Sequence, residues 1–412
     1  MEGNKVRQRM SAKPEKIQAK EVKENKTVHR SVGWLKAAMT STLLSCFIFP
    51  LILWLLPSPI NPVEFRLPPV PKWTGALHPN LKLQKATKLF TNKLTGPESM
   101  VADGDYLYTG TADGKIVEIY KGEIRVITKL GKDPCGKFEH EPTCGRPLGM
   151  RLDKDKYLIV ADAYLGLFKV NVATGDKTLL LSSSTLINGQ PAKFMNDIDI
   201  GKDGTIYISD TSALWDRRHN RYSVLEGEST GRLISFNPST NEIKELVGGI
   251  AFANGVQITR DQQSVLLVST TRAAIYRYYI DGPKKGNFED FNNNLPGLPD
   301  NIRKSSLGGY WVGLAGVRKE AFSMMDFTAP HPWIRSLLTK VFSQEIIIKL
   351  LPKYGMVLRL NEEGKIVESL HDPSGKIIPG VSEVEDTGSV LYLGSYNLPF
   401  LSKLYISDIK GT

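Results

Sequence analysis

The sequence predicts an all-β fold class, a six-bladed β-propeller preceded by one transmembrane helix. Three observations carry that reading. A single long uncharged stretch lies near the N-terminus, and short alternating strand pairs fill most of the remaining chain. A polar turn leader recurs at Glu98, Pro147, Asn196, Asn254, Asp300 and Ser382, at intervals of 49, 49, 58, 46 and 82 residues. Repeats of roughly 40–60 residues, each holding four short strands, are the sequence signature of propeller blades.

The N-terminal elements come first. Residues 1–33 form a basic cytoplasmic tail. The first 36 residues hold ten Lys and Arg against four Asp and Glu, so six of the ten net positive charges sit there. The rest of the chain is nearly balanced and shows no basic stripe interleaved with aromatics, which argues against a nucleic-acid partner. With 41% hydrophobic and 23% charged residues, the composition is that of a folded chain. No charge occurs from residue 37 to 63, and the apolar heart at 37–56 is long enough to cross a bilayer. Trp34 and Trp54 stand near its ends, where indoles favour the interface. Pro50 inside it is tolerated in a membrane helix.

Residues 34–57 are therefore assigned as an uncleaved signal anchor. The preceding basic tail places the N-terminus in the cytoplasm. A cleaved signal peptide fits less well, because the basic region is long and Leu56-Pro57-Ser58-Pro59 is a poor cleavage site. The expected localisation is that of a single-pass type II protein of the cell surface or endoplasmic reticulum, its propeller extracytoplasmic. Residues 58–79 are proline-rich and predict an extended spacer that lifts the next domain off the bilayer.

The propeller is assigned to 80–412. Strand pairs are read at 103–120, 155–171, 203–215, 263–280 and 388–406, with aliphatics at period two. The segment 81–90, LKLQKATKLF, is expected to supply the strand that closes the last blade. One stretch breaks the pattern. At 330–354 the apolar residues take helical spacing, interrupted by Arg335, Lys340, Lys349 and Lys353. Two readings stay open for this insert: a lid packed on the propeller, or a basic amphipathic helix resting on the bilayer. Cys135 and Cys144 close a short loop in the extracytoplasmic part and predict a disulfide, while Cys46 lies in the apolar helix.

Inner strands of a propeller start near its axis, so the leaders converge at one mouth of the channel. Glu98, Asn196, Asn254, Asp300 and Asn301 would meet there. Singly, each is an ordinary turn residue. Together, at one repeat phase, they offer only carboxylate and amide oxygens, the donor set of a hard cation such as Ca²⁺. Two other signals read as structural. The G-x-S-x-G string at 227–231 is followed by a strand, GRLISFN, and not by the helix that a nucleophile elbow needs. Arg217, Arg218 and His219 read as a blade-three loop.

These leaders, with CGRPLGMRL (144–152), VADAYLGLFKVN (160–171) and YWVGL (310–314), resemble the strictosidine synthase-like branch of the six-bladed calcium propellers. That superfamily includes paraoxonases and gluconolactonases. The anchor, the PHPW…FSQE insert, the SLHDP turn (369–373) and the SYNLPFLSKL ending (395–404) are similar to its membrane-anchored animal members. The resemblance implies a calcium site from Glu98, Asn196, Asn254 and Asp300, with Asn301 a further ligand. Its catalytic columns depart from the pattern. Leu148 stands where paraoxonases place one histidine, and Asp162–Ala163 where they place another. Plant strictosidine synthases use a glutamate where this chain has Ser382, with Glu383 adjacent. The alkaloid-forming condensation does not fit these residues. What the resemblance leaves is calcium-dependent hydrolysis of a small lipophilic ester or lactone, with Asp300 orienting or deprotonating water. The alternative is a non-catalytic surface propeller that binds a protein or glycan partner and holds calcium structurally.

Overall fold

The computed structural model describes residues 15–350 and 352–410 of the 412, which fall into two compact units. In the first, one helix runs Glu15–Leu55 with Pro50 inside it. Its segment Ser31–Leu55 has a mean hydropathy of 1.9, and none of that window is buried in the structure. By length and composition it is a candidate membrane span. Thr40 and Thr42 turn their hydroxyls back to donate to the carbonyls of Lys36 and Ala38, at 2.8 and 2.9 Å, so the helix hides its own polar atoms. The helix also extends into the basic segment; residues 1–14 of the expected tail lie outside the described residues.

The second unit is a six-bladed propeller, and its six four-stranded sheets are antiparallel throughout. The innermost strands are Met100–Asp103, Pro147–Leu152, Met195–Ile200, Ala253–Ile258, Gly297–Lys304 and Val384–Asp386, each starting within three residues of a leader position. They touch in ring order around an axis, and the sixth meets the first. Blade six is composite. Thr87–Leu89 pairs with Leu401–Tyr405 from the C-terminal end, with Thr87 opposite Lys403. The expected closing strand thus comes from the expected segment, and ring closure removes the free edge that an open sheet would leave.

The core lies between blades. Six apolar clusters lie one at each junction of consecutive blades, and a seventh joins Leu148, Ala163, Phe194 and Phe252. Alternation along each strand sends one set of side chains into each junction. Inner strands approach so closely that the repeat needs glycine there. A Cβ on Gly149 would lie 2.3 Å from Asp197 Oδ1, and one on Gly255 would lie 2.8 Å from the carbonyl oxygen of Asp300. A buried ion network fills the channel below its mouth. Arg303 donates two parallel bonds to Asp197, at 2.7 and 2.9 Å, and pairs with Glu383. Arg151 lies 3.6 Å from Asp197 and 3.3 Å from Asp199. Blades two, three, five and six are thereby joined by charge pairs at their inner strands.

Two insertions rise from the strand loops. In blade three, Asn220–Glu226 is a short helix between the second and third strands. In blade five the same loop carries Met324–Thr328, Pro332–Val341 and Gln344–Leu350. The G-x-S-x-G string lies between the blade-three helix, capped by Gly227 at φ 71°, and the strand that starts at Gly231. That order is the reverse of a nucleophile elbow.

The proline-rich stretch does not stand clear of the propeller but lies along it as a strap. Ile60 and Phe65 are buried. Arg335 donates to the carbonyl of Val63 at 2.5 Å, and Arg318 to that of Pro68 at 2.6 Å. Prolines remove backbone donors. The strap's free carbonyls are acceptors for these two buried guanidiniums. The Cys135–Cys144 disulfide is present, with Cα atoms 5.3 Å apart.

Candidate functional site

Above the ion network the channel opens into a cavity of about 190 Å³. Glu98, Asn196, Asn254 and Asp300 all line it, brought from blades one, three, four and five by the start of each inner strand. All four are buried, and Asn254 Nδ2 donates to Asp300 Oδ1 at 2.7 Å. Asn301 follows Asp300 on the same strand. It is buried and both its amide atoms lack hydrogen-bond partners among the described residues, but it is not part of the cavity lining.

The amides are oriented by one device, used twice. Asn196 Nδ2 donates to Thr211 Oγ1 at 3.0 Å, and Thr211 donates to the carbonyl of Ala253 at 2.7 Å, the residue before Asn254. Asn254 Nδ2 donates to Thr270 Oγ1 at 3.0 Å, and Thr270 donates to the carbonyl of Pro299 at 2.7 Å, the residue before Asp300. Each threonine thus fixes one side chain and the backbone of the next blade. With the nitrogens committed, the oxygens are left over. Glu98 Oε2, Asn196 Oδ1 and Asn254 Oδ1 are buried without a hydrogen-bond partner among the described residues. A buried acceptor without a donor costs roughly 1–3 kcal/mol, and three around one cavity are oxygens that a hard cation would satisfy.

The electrostatics agree. Burial pushes Glu98 up to about 8; the charge of Asp300 adds to the rise, and the guanidiniums of Arg146 and Arg217 oppose it. Burial likewise pushes Asp300 up to about 7, against hydrogen bonds from Ser382 and Asn254 that favour its charged form. Both shifts favour the protonated forms, and positive charge between the two carboxyls would oppose them. Among the described residues no three His, Cys, Asp or Glu cluster tightly enough to hold a metal on their own. The donor set is instead two carboxylates and two amides, all hard oxygens, which fits Ca²⁺.

The walls are largely apolar and come from three sources. Leu148, Phe194 and Phe252 belong to the blades, Val224 and Leu225 to the blade-three helix, and Met325, Leu338 and Ile347 to the blade-five insert, so the two insertions cover the mouth. Arg217, Asn220 and Arg221 add polar groups to the wall, and Arg217 is fixed by a buried partner. It pairs with Glu141 at 2.5 Å, and Glu141 accepts from the Tyr164 hydroxyl at 2.6 Å. Glu141 lies between Cys135 and Cys144, so the disulfide loop holds an arginine at the cavity wall. Sequence reasoning placed Arg217 in a loop and left Arg146 without a role. Arg146 sits just before the blade-two leader and donates to the carbonyls of Gly96 and Tyr396, both at 2.9 Å.

Leu148 is a buried wall residue. Asp162 accepts from the amides of Tyr164 and Leu165, both at 3.0 Å, and does not line the cavity. Glu383 accepts from Ser99 Oγ and from Met100 N, the latter at 2.6 Å, and pairs with Arg303, so it is committed to the channel network.

Comparison with known proteins agrees with this architecture. The strictosidine synthase family model matches residues 196–283, and the strictosidine synthase-like N-terminal model matches 75–119. A gluconolactonase from Xanthomonas campestris superposes with a TM-score of 0.53 at 15% identity, covering 85% of this chain and 99% of that one. A luciferin-regenerating enzyme gives 0.52 at 13%, covering 78% and 95%. At such identities these structures share the fold alone. The Arabidopsis thaliana protein strictosidine synthase-like 13 is 35% identical over 84% of this chain and 93% of its own length. The adipocyte plasma membrane-associated protein of Salmo salar is 46% identical over 89% of this chain and 90% of its own length. The Homo sapiens protein of that name is 42% identical over 99% and 100%. The chain belongs to the adipocyte plasma membrane-associated protein family, within the strictosidine synthase-like propellers.

Proposed function

We propose that this protein is a membrane-anchored, calcium-dependent hydrolase of small lipophilic esters or lactones. The observation that carries this reading is the meeting of unpartnered oxygens from Glu98, Asn196 and Asn254 with Asp300 at the base of an apolar-walled cavity. These four residues would hold the ion, with Asn301 a further candidate ligand. A bound hard cation supplies electrophilic polarisation of a carbonyl and an offset for the charge that develops on its oxygen. The chain supplies the rest. Leu148, Phe194 and Phe252 take up the apolar part of a substrate and thin out water. Asp300 is the candidate base, oriented by hydrogen bonds from Asn254 and Ser382, and would take a proton from water. Arg217 presents positive charge at the wall.

The anchor reading supports a type II arrangement at the cell surface or endoplasmic reticulum, and the disulfide fits an oxidising compartment. The gluconolactonase fold likeness is compatible with a lactone substrate. A second reading has one observation in its favour. Neither paraoxonase histidine column holds a histidine, which suits a non-catalytic propeller with structural calcium that binds a protein or glycan partner. Assay of the purified full chain against aryl acetates and lactones, with and without chelator, separates the two. Chelator-sensitive turnover is expected, with Asp300→Ala lowering it by roughly 10²-fold or more while the circular-dichroism spectrum is unchanged. Calcium binding without any turnover would move the assignment to the second reading.

A further inference from the structure

The insert helix Pro332–Val341 is amphipathic in the opposite sense to a helix surrounded by water. Its fully buried positions are polar. These are Arg335 and Thr339, and Arg335 donates to the carbonyls of Leu225 at 2.7 Å, Thr328 at 3.1 Å and Ala329 at 3.0 Å. Its outer face is apolar. Trp333, Leu337 and Val341 follow one another at spacings of four, which aligns them in one stripe. All three are exposed, Trp333 by 66%. Phe322, Phe327 and Ile346 on the flanking insert segments are exposed as well. Charged guanidinium inward and indole outward is a costly arrangement in water, and apolar surface of this kind marks an interface.

The chain itself indicates what covers it. The candidate span ends at Leu55, and the strap is already buried at Ile60. Five residue steps reach at most about 18 Å. The first strap residues are stitched to the insertions: Asn61 N donates to Glu226 Oε1 at 2.9 Å, Val63 N to the carbonyl of Glu226 at 2.8 Å, and Phe65 N to that of Ala329 at 3.2 Å. The covalent tether therefore meets the propeller beside the insert helices and not at the opposite mouth. We propose that the outer stripe of this insert, Trp333, Leu337 and Val341, lies in the interfacial layer of the lipid bilayer that the N-terminal helix spans. The indole of Trp333 suits that depth, and the stripe adds a surface contact to the covalent anchor. Since Leu338 of the same helix lines the cavity, one helix would separate lipid from the candidate site. The proposal does not depend on any catalytic activity.

The test uses the full chain, with Cys46→Ala, reconstituted into phosphatidylcholine–phosphatidylserine vesicles. Leu337→Cys, and separately Val341→Cys, is labelled with an environment-sensitive fluorophore. Lys202→Cys, in the turn after the first strand of blade three, is the control. The expected result is blue-shifted emission at 337 and 341, quenched by nitroxide-bearing phospholipid and not by iodide, with the reverse at 202. Iodide quenching at 337 and 341 would overturn the proposal. So would protection from both quenchers, which would make the stripe a contact with protein, a second copy included.

Discussion

Thr270 is an unremarkable residue in the sequence, yet its hydroxyl holds two candidate ligands at once. It accepts from Asn254 and donates to the backbone just before Asp300. Thr270→Val keeps the shape and removes both bonds. We expect calcium affinity to fall five- to tenfold, about 1 kcal/mol, with Thr270→Ser close to wild type; calorimetric titration checks it. Repeat phase exposed the ligands in the sequence because each opens an inner strand. It could not expose Thr211 and Thr270, since a threonine after a strand is ordinary and its partner lies in the next blade. Arg217 and Glu141 stayed hidden for the same reason, lying 76 positions apart. A different residue adds acid sensitivity to the fold. His371 is fully buried; burial, with His78 nearby, pushes its imidazole down to about 4. Ser369 donates to the carbonyl of Ala76 at 2.6 Å, so it must accept from His371 Nε2–H, and Nδ1 accepts from the Tyr354 hydroxyl at 2.8 Å. The neutral ring is satisfied and the charged ring is not. Stability from this group is full above about 6.5, the unfolded value, and is lost as pH falls towards 4. The loss is at most about 3 kcal/mol, reduced by any relaxation around the charge. Thermal unfolding between pH 7 and 4.5 should show a slope that His371→Gln flattens.

At the level of strands and helices, the tightest constraint is the approach of one inner strand to the next. Gly255 faces the backbone of the ligand-bearing strand, where a Cβ would meet Asn301 Cα and the Asp300 carbonyl, both at 2.8 Å. Gly255→Ala should therefore cost about 1–3 kcal/mol through overpacking and weaken calcium binding together with it. Thermal unfolding with and without calcium reads both effects. Strands were easy to find in the sequence because period-two alternation survives even in short runs. The blade-three helix was not, because NRYSVLE spans only seven residues and carries no long apolar stripe. The docking of the strap was hidden for a different cause. Proline content reports backbone stiffness, whereas the docking depends on Arg318 and Arg335, which lie more than 200 residues away.

For the molecule as a whole, the decisive contact is the one that closes the ring. Deleting residues 81–90 should leave Leu401–Tyr405 as a bare edge and expose the junctions of blade six with its neighbours. We expect aggregation and rapid proteolysis of the deletion variant, read by size-exclusion chromatography and limited trypsin digestion. The fold class was visible in the sequence because it is written six times. The depth of the cavity was not, since it depends on how the blade-three and blade-five insertions fold over one mouth. Closure by Thr87–Leu89 also has a temporal side. Leu89 leaves the ribosome 312 residues ahead of Leu401, roughly 15–60 s at common elongation rates. For that interval the earliest strand must wait unpaired, and a nascent chain released before Leu401 could never shut the circle. Biosynthetic quality control of this protein should therefore hinge on synthesis of the strand Leu401–Tyr405.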